Sequence, residues 1–548
     1  MGTHELIRAA VRSAAVVFSF HAAVAVAQSN MLDYTFGDSG SVRNTISGSG
    51  GFNDRAYGVV IQPDGKIVAA GLSGTNGPHT EFAVARYDSD GSLDATFGTN
   101  GSTRIPISGS NGTDDEGYAV ALQPDGKILV GGYAFMSSSA GVYFAVARFN
   151  TDGTLDGSFG NGGTATIPIG SNGLSEAYSI ALQKDGKIVL GGYCESPPLN
   201  FTFAVARFDA NGAIDGTFGG NGSVRTSMPN NRAFGYAVAI QEDGKIVLGG
   251  ENGYQFAMVR YQSNGVVDSS FGTHGIVATT LSGSNGSNDL ALAIAIQQDG
   301  RIVLAGRGDD TLSRFGLAVA RYTIDGTPDS TFASTGSVIT FINGGGLASA
   351  FGRSLGIQPD GKIVVVGSSS DTANHAEFAV ARYDTDGTLD NSFGDGGTTR
   401  NPIKGGTGYI DGASSVALQK DGKLVVAGTS QDSSYNTVFA LARYLSQNPA
   451  VAVKEEKAAV PGIFRLYQNY PNPFNPTTAI RYQLPAAGLV RLTVYNILGQ
   501  EVMVLVNERK PAGTYEVNFD ASGLSSGVYF TRLQAGSFSD TKKLLLIR

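Results

Sequence analysis

The chain has a single cysteine, Cys194, and no tryptophan. Because one thiol has no partner in the chain, we expect stability to come from an apolar core and not from disulfides. The lack of tryptophan removes the strongest stacking platform for sugars, although 22 tyrosines remain. Neither a G-x-S-x-G nor an H-E-x-x-H motif is present, which argues against the familiar hydrolases. Histidine is scarce, at 5 residues, so we expect no zinc site.

Positive charge and long apolar runs are also lacking. The net charge is −8 with no basic cluster, so we expect no nucleic-acid partner. Arg8 and Arg12 precede an apolar stretch that ends in Ala-Val-Ala, and this pattern predicts a secretory signal peptide over residues 1–27. No later segment approaches about 18 unbroken apolar residues, so we expect no transmembrane segment in the mature chain.

What the chain has in abundance is repetition. A Gln-x-Asp-Gly-Lys/Arg segment occurs seven times, starting at Gln62, Gln123, Gln183, Gln241, Gln297, Gln358 and Gln419. Each copy is followed by FAVAR or a close variant, and a D-x-x-F-G/A motif also occurs once per period. A period of about 60 residues, repeated this often, is typical of a repeat architecture.

The pattern within one period is that of β-strands. Apolar residues alternate in segments such as AYGVVIQ (56–62) and FAVARY (82–87), and Asp-Gly or Asn-Gly pairs between them suit tight hairpins. A weaker fourth strand follows each D-x-x-F-G turn. Four antiparallel strands repeated seven times predict an all-β fold, a seven-bladed β-propeller of four-stranded blades.

The phase of the repeats predicts how the ring closes. The first unit contains only a D-x-x-F-G turn and a fourth strand, while the last unit stops after its third strand at Tyr444. We therefore expect residues 40–46 to pair beside 437–444, which removes the free sheet edges.

Two residues recur in every unit, an arginine at the end of strand three and the aspartate of D-x-x-F-G. We predict that they form buried or half-buried structural ion pairs, because a binding role does not need seven copies around a ring. The arginines are Arg86, Arg148, Arg207, Arg260, Arg321, Arg382 and Arg443, and the aspartates are Asp33, Asp94, Asp156, Asp215, Asp268, Asp329 and Asp390.

The loops sort into two rims. Turns between strands one and two, and between three and four, are short and uniform, whereas those on the other rim diverge in sequence, and we assign any binding site to this variable rim. Polar and aromatic residues there could form an acidic collar for a cation or for sugar hydroxyls, or simply a solvated surface. The candidates are Asp54, Asp115, Glu116, Glu176, Tyr254, Asp289 and Asp411.

Calcium is an alternative that concerns the turns between strands three and four. The segments DSDGSLD (88–94) and DTDGTLD (384–390) can be compared with calcium loops. The run is shorter than an EF-hand loop, lacks its final glutamate and varies among the units. A hairpin turn explains the Asp-Gly pair by itself, so we expect no cofactor, with Ca²⁺ left as the alternative.

After Tyr444 the repeat motifs no longer occur. We assign residues 28–445 to the propeller, 446–462 to a linker with proline and charge, and 463–548 to a second domain. That domain begins with a proline-rich segment and continues with short alternating strands separated by glycine and proline. Such a pattern predicts a small immunoglobulin-like β-sandwich.

The second domain contains four ordered motifs, LYQNYPNPFNPTTAIRYQLP, VYNILGQEV, AGTYEVNFDASGLSSGVYF and KKLLLIR. Together they resemble the type A C-terminal sorting domain of the bacterial type IX secretion system. The resemblance implies export through the periplasm to the outer surface or the medium, with the secretion machinery as a partner. The residues that carry it are Pro471, Asn472, Pro473, Phe474, Gly499, Gly513, Gly527, Tyr529, Lys542 and Lys543.

The repeats themselves are similar to the delta-60 repeat of large secreted bacterial proteins, which implies no established activity. We expect a secreted or surface-displayed, non-enzymatic propeller that binds or adheres, with extracellular polysaccharide or a surface glycan as a candidate partner. One alternative is a lyase or glycosidase that acts on polysaccharide at the propeller mouth. Another is a structural component of a surface layer.

Overall fold

The computed structural model describes residues 31–547 with internal gaps. The predicted signal peptide, 1–27, lies outside the described residues, as does most of the predicted linker. The gaps are 47–52, 76–78, 110–113, 138–140, 171–173, 197–199, 282–287, 343–349, 371–374, 404, 406–409 and 448–462.

Every regular element in these described ranges is a β-strand. The same part of the chain therefore contains no helix with the length and apolar character needed to cross a bilayer. The strands before Leu445 form seven antiparallel four-stranded sheets, one for each repeat. The predicted seven-bladed propeller is confirmed.

The first strand of each blade is the innermost, and it contacts the innermost strands of the two neighbouring blades around a central channel. From blade one to blade seven these strands are β2 (Arg55–Ile61), β6 (Asp115–Leu122), β10 (Ser175–Leu182), β14 (Ala233–Ile240), β18 (Leu290–Ile296), β22 (Ala350–Ile357) and β26 (Gly412–Leu418).

The two middle strands of each blade are buried on both faces, because each blade is covered by a neighbour on either side. The second strands are β3 (Ile67–Gly74), β7 (Ile128–Ser137), β11 (Ile188–Ser196), β15 (Ile246–Asn252), β19 (Ile302–Asp309), β23 (Ile363–Ser370) and β27 (Leu424–Gln431). The third strands are β4 (Thr80–Tyr87), β8 (Gly141–Phe149), β12 (Asn200–Phe208), β16 (Phe256–Tyr261), β20 (Phe315–Tyr322), β24 (Ala376–Tyr383) and β28 (Thr437–Tyr444).

The outer, fourth strands are short. They are β5 (Ser102–Ile105), β9 (Thr164–Ile167), β13 (Ser223–Thr226), β17 (Ile276–Thr279), β21 (Ser337–Thr340) and β25 (Thr398–Asn401) in blades one to six, and β1 (Ser41–Asn44) in blade seven. β1 pairs with β28 in antiparallel register, from Ser41 opposite Ala442 to Asn44 opposite Phe439. The N-terminal strand thus completes the last blade, as the phase of the repeats predicts.

The hydrophobic core of the ring is divided among the seven interfaces between blades. Val68 of blade one packs in a cluster with Val130 of blade two, and equivalent clusters occupy the other six interfaces, including the one between blades seven and one. Each blade contributes one face to each of two core clusters, so the stability of one blade depends on both neighbours.

The C-terminal domain is a sandwich of two sheets, as predicted. One sheet has the order β29-β30-β33 and the other β32-β31-β34-β35, and one core lies between them. The strands are β29 (Arg465–Leu466), β30 (Thr477–Leu484), β31 (Gly488–Tyr495), β32 (Glu501–Lys510), β33 (Gly513–Asp520), β34 (Gly527–Ala535) and β35 (Phe538–Leu546).

The proline-rich segment of this domain is fastened to its last strand. Asn472 accepts a hydrogen bond from the Leu545 amide at 2.9 Å and donates one to the Lys543 carbonyl at 3.1 Å. Phe474 is buried in the core, and its backbone bridges to Leu546. The two ends of the domain, which carry most of the residues of the sorting resemblance, therefore form one structural unit.

The other residues of the resemblance lie in or beside strands. The hydroxyl of Tyr529 donates to the Ser525 carbonyl at 2.8 Å, and Lys542 pairs with Asp540. Gly499 has a φ of +76° in the turn between β31 and β32, where a left-handed backbone favours glycine. Gly513, Gly527 and Lys543 belong to β33, β34 and β35.

Candidate functional site

The recurrent arginine and aspartate of each unit are in contact in all seven blades. Nε to Oδ2 distances are 2.7 to 2.9 Å. Each guanidinium also lies over the phenylalanine ring of the D-x-x-F-G motif, as Arg148 lies over Phe159 at 4.6 Å from the ring centre. Arg148 further donates from Nη1 to the Ala210 carbonyl of the next blade at 2.7 Å. These pairs form a structural belt along the rim of short turns.

The Gln-x-Asp-Gly-Lys/Arg motif supplies a third member of the belt that sequence reasoning missed. In every blade its basic residue approaches the same aspartate, as Lys127 does with Asp156 at 2.9 Å. Hydrogen bonds from Ser158 and Lys127 hold the pKa of Asp156 below its usual value of 3.8. The sequence signal for this contact was the constant basic residue at the end of each motif, because a hairpin turn alone does not require a basic residue there.

The expectation of an exposed acidic collar is wrong for four of its members. Asp54, Asp115, Asp289 and Asp411 are buried, with at most 1% of their surface exposed. Each accepts a hydrogen bond from a backbone amide just after the fourth strand of the preceding blade, as Asp115 does from Ile107 at 2.7 Å. They therefore fasten the connection between blades, because buried carboxylates need such donors.

A different set of side chains faces the central channel. Each innermost strand contains a bulge, a position at which the pairing register with the second strand shifts by one residue. A bulge redirects the local side chain. From blade one to blade seven the residues at the bulge are Tyr57, Tyr118, Tyr178, Tyr236, Leu292, Arg353 and Ser414.

Glycine on the second strand is what permits this bulge. In every blade a glycine lies opposite it, and a Cβ on that glycine would come within 1.7 to 2.0 Å of a carbonyl oxygen of the first strand. In blade three, for example, the Cβ of an alanine at Gly192 would be 2.0 Å from the Glu176 oxygen. No side chain fits there, so the constant glycine in the second strand is required by the close approach of two backbones.

The bulge residues surround a cavity of about 600 Å³ at the mouth of the channel. It opens on the rim of variable loops, because the bulges lie near the beginning of each innermost strand. Six of the seven bulge side chains are bulky, the exception being Ser414 of blade seven, and each bulge residue lies between two small residues, glycine, alanine or serine. The lining comprises Arg55, Tyr57, Tyr118, Tyr178, Tyr236, Leu290, Leu292, Arg307, Phe351, Arg353, Ser368, Ala376, Ile410, Asp411, Gly412, Ser414 and Thr429.

Blades one to four contribute an aromatic wall to this cavity. The ring of Tyr118 lies 4.6 Å from that of Tyr57 and 4.5 Å from that of Tyr178, and Tyr178 lies 5.5 Å from Tyr236. These separations are those of interacting aromatic pairs. The stack gives one side of the mouth a continuous apolar surface with hydroxyl groups at its edge.

Two of the predicted rim carboxylates accept hydrogen bonds from tyrosines of this wall. Glu116 accepts a hydrogen bond from the Tyr118 hydroxyl at 2.7 Å, and Glu176 accepts one from Tyr178 at 2.6 Å and another from Tyr193. Burial and the adjacent carboxylate raise the pKa of Tyr118 and of Tyr178. The tyrosines therefore stay protonated and act as hydrogen-bond donors, and the glutamates hold them in place.

Blades one, five and six contribute positive charge. Arg55 and Arg353 are exposed, and Arg307 is half-buried with its guanidinium 4.8 Å from the ring centre of Phe315 and 5.4 Å from that of Phe351. The tyrosines therefore line the mouth from blade one to blade four, and the arginines line it from blade five round to blade one.

Tyr254 lies outside this cavity. It is 40% exposed at the tip of the loop between the second and third strands of blade four, with a φ of +69° and the guanidinium of Arg232 at 4.5 Å from its ring centre. Within the described ranges no group of three or more histidine, cysteine, aspartate or glutamate side chains is placed to hold a metal ion. Calcium at the Asp-Gly turns stays a prediction.

Comparison with known families assigns both parts of the chain. Residues 468–547 match the secretion system C-terminal sorting domain. Curated proteins yield no match. Seven segments match the family described as domain of unknown function DUF5122, beta-propeller, at residues 62–97, 123–159, 183–218, 241–271, 297–332, 358–393 and 419–447.

Similar solved structures include PorZ, a surface component of the type IX secretion system of Porphyromonas gingivalis, at 14% identity and a TM-score of 0.38. The likeness covers 93% of this chain but only 61% of PorZ. Virginiamycin B lyase from Staphylococcus aureus is 11% identical with a TM-score of 0.39, over 73% of this chain and 98% of the lyase. Likenesses this distant assign no function.

The family matches and the strand topology agree on the architecture. Each of the seven propeller segments contains the second and third strands of one blade, and the sorting-domain match covers most of the C-terminal sandwich. The chain is a β-propeller of seven DUF5122 repeats that ends in a type IX sorting domain and is secreted to the cell surface.

Proposed function

We propose that this protein is a non-catalytic binding module of the cell surface, and that it takes an extracellular glycan at the mouth of its central channel. The observation that carries the proposal is the set of seven bulge positions. The belt residues recur in every blade, whereas the bulge residues, which all face one cavity, are tyrosine in blades one to four and leucine, arginine and serine in blades five to seven. Variation on a constant scaffold is typical of a binding site.

The chemistry of the mouth supports a sugar as the ligand. A volume of about 600 Å³ is within the range of small-ligand pockets. Tyrosine rings offer an apolar face to the carbon skeleton of a sugar and hydroxyls to its polar groups. Glu116 and Glu176 accept hydrogen bonds from Tyr118 and Tyr178 and so hold these two rings in place. The aromatic surface is therefore organised before a ligand arrives, which lowers the entropic cost of binding.

The test is a binding titration of the purified full-length chain against soluble polysaccharides and their oligosaccharides. The variant Tyr57→Leu/Tyr118→Leu removes part of the aromatic wall. The matched control, Tyr254→Leu/Tyr435→Leu, removes two tyrosines that are exposed on variable loops outside the cavity. We expect saturable binding by the wild type, a loss of about tenfold or more in the wall variant and no change in the control.

Three results would oppose the proposal. Loss of binding in the loop control alone would move the site to the variable loops. No binding by a folded protein would favour a structural role in a surface layer. Shortening of the polysaccharide during the titration, followed by size-exclusion chromatography, would favour the catalytic alternative.

A further inference from the structure

The exposed charges that line the mouth between blade six and blade one are positive, although the chain as a whole is negative. The chain carries a net charge of −8, yet three arginines line the cavity, namely Arg55, Arg307 and Arg353. The one carboxylate of that lining is Asp411, which is fully buried and accepts the Ile403 amide at 3.0 Å. Glu116 and Glu176, in blades two and three, accept hydrogen bonds from the tyrosine hydroxyls, so the arc from blade six to blade one is the part of the mouth where positive charge attracts an anionic ligand.

Blade seven leaves room for such a ligand. At the bulge it has Ser414, where blades one to six have tyrosine, leucine or arginine, and two positions earlier it has Gly412. The opposite strand adds Thr429 to the lining. The neighbouring blades on either side carry the two exposed arginines, Arg55 in blade one and Arg353 in blade six. The space left by the small residues of blade seven is therefore flanked by guanidinium groups.

We infer that the mouth selects an acidic sugar, one that carries a carboxylate. Arg55 and Arg353 bind the carboxylate over the small residues of blade seven, and the sugar ring lies against Tyr57, whose bulge adjoins Arg55 on β2. Guanidinium groups suit this role because their planar N–H donors match a carboxylate in two-point hydrogen bonds. Arg307, packed against Phe315 and Phe351, is less free to move and adds charge. This inference rests on the proposed function and specifies its ligand class.

The experiment compares an oligouronate with a neutral oligosaccharide of the same length and linkage, each titrated into the full-length chain. The variant is Arg55→Gln/Arg353→Gln, and the control is Lys184→Gln, which removes an exposed charge from the opposite rim. Both arginines are exposed, so the fold should tolerate their replacement. We expect the wild type to bind the uronate at least about tenfold more tightly than the neutral sugar, and the arginine variant to lose that preference.

Equal affinity of the wild type for the acidic and neutral sugars would overturn the inference while leaving the proposed glycan site intact. No binding of either sugar by the folded chain would overturn both. An equal loss in Lys184→Gln would assign the preference to overall charge and overturn the inference. Tighter binding of a sulfated oligosaccharide than of the uronate would assign the arginines to sulfate esters and would likewise overturn the carboxylate assignment.

Discussion

Arg443 and Asp33 lie 410 residues apart in the chain, yet Nε of the arginine is 2.9 Å from Oδ2 of the aspartate. In blade three the same contact joins Arg207 to Asp215, only 8 residues away. The two pairs have the same chemistry, but one closes the ring and the other ties a strand to its own turn. The comparison therefore separates the effect of ring closure from that of the ion pair itself.

The first prediction uses this comparison. Arg443→Ala and Arg207→Ala should each cost about 3 to 5 kcal/mol of stability, because each leaves a buried carboxylate without its main partner. Only Arg443→Ala should also loosen β1, because no chain connection joins β1 to the rest of blade seven, and only its pairing with β28 and non-covalent contacts such as this one hold it there. Amide hydrogen exchange in Ser41–Asn44 is the measurement, and equal exchange rates there in the two variants would show that closure does not depend on this pair.

A second prediction concerns the glycine opposite the bulge. In Gly192→Ala the new Cβ would meet the Glu176 carbonyl at 2.0 Å, and since that atom is backbone, relief requires a shift of the strand. We expect a cost of about 1 to 3 kcal/mol and a displaced Tyr178. The control is Gly157→Ala, where the added Cβ meets nothing within 4 Å and the change should be within about 0.5 kcal/mol. Urea unfolding measures both, and equal midpoints would refute the steric argument.

Acid should weaken the ring. The pKa of each of the seven belt aspartates is lowered from 3.8 in the folded protein. A folded-state pKa below the unfolded value adds stability that is complete above pH 3.8 and is lost as the pH falls further. Burial raises the pKa of Asp115, Glu251 and Asp411, which acts in the opposite direction, but these are three groups against seven. The melting temperature should therefore fall steeply below about pH 4.

The variant that checks this pH dependence is Asp156→Asn. It should be less stable than the wild type at neutral pH, and its melting temperature should fall less between about pH 5 and pH 2, since one of the seven titrating groups is gone. Asp395→Asn, at an exposed turn of blade six outside the belt, is the control. A curve for Asp156→Asn parallel to that of the wild type would mean that acid sensitivity arises elsewhere.

The fold could be predicted from the sequence because each repeated residue has a local partner at fixed spacing. An arginine and an aspartate eight residues apart recur in blade after blade, and the single exception, Arg443 with Asp33, follows from the phase of the repeats. Closure needed no further information. The alternation of apolar and polar residues then predicted the strands of each sheet, because this alternation holds along most of each strand.

The candidate site could not be predicted in the same way. A bulge breaks the alternation at one residue, and two-residue periodicity gives no account of where that residue points. The sequence does carry a pattern at the bulge, a bulky residue between two small ones, as at Tyr118 and Tyr178. The position of Asp115 was misjudged for a related reason, because its partner is a backbone amide, and amides carry no sequence signal.

The last prediction concerns export. In Asn472→Ala the proline-rich segment loses its side-chain hydrogen bonds to the Leu545 amide and the Lys543 carbonyl, which should loosen the last strand of the sorting domain. Phe474, buried in the core, keeps the domain folded, so the loss should be about 1 to 3 kcal/mol and not complete unfolding. This domain matches the secretion system C-terminal sorting domain, and the resemblance implies that it directs passage across the outer membrane, so we expect the variant to accumulate in the periplasm.

Thr541→Ala provides the control for export, because it lies on the same last strand but is exposed. Cell fractionation with detection of the propeller gives the share of protein at the surface or in the medium for each variant. If the Asn472 variant reaches the surface as fully as the Thr541 variant, the hydrogen bonds between the two ends of the domain contribute to its stability and not to export. If it stays in the periplasm while its sandwich still melts cooperatively, the secretion machinery reads the joined ends as one surface.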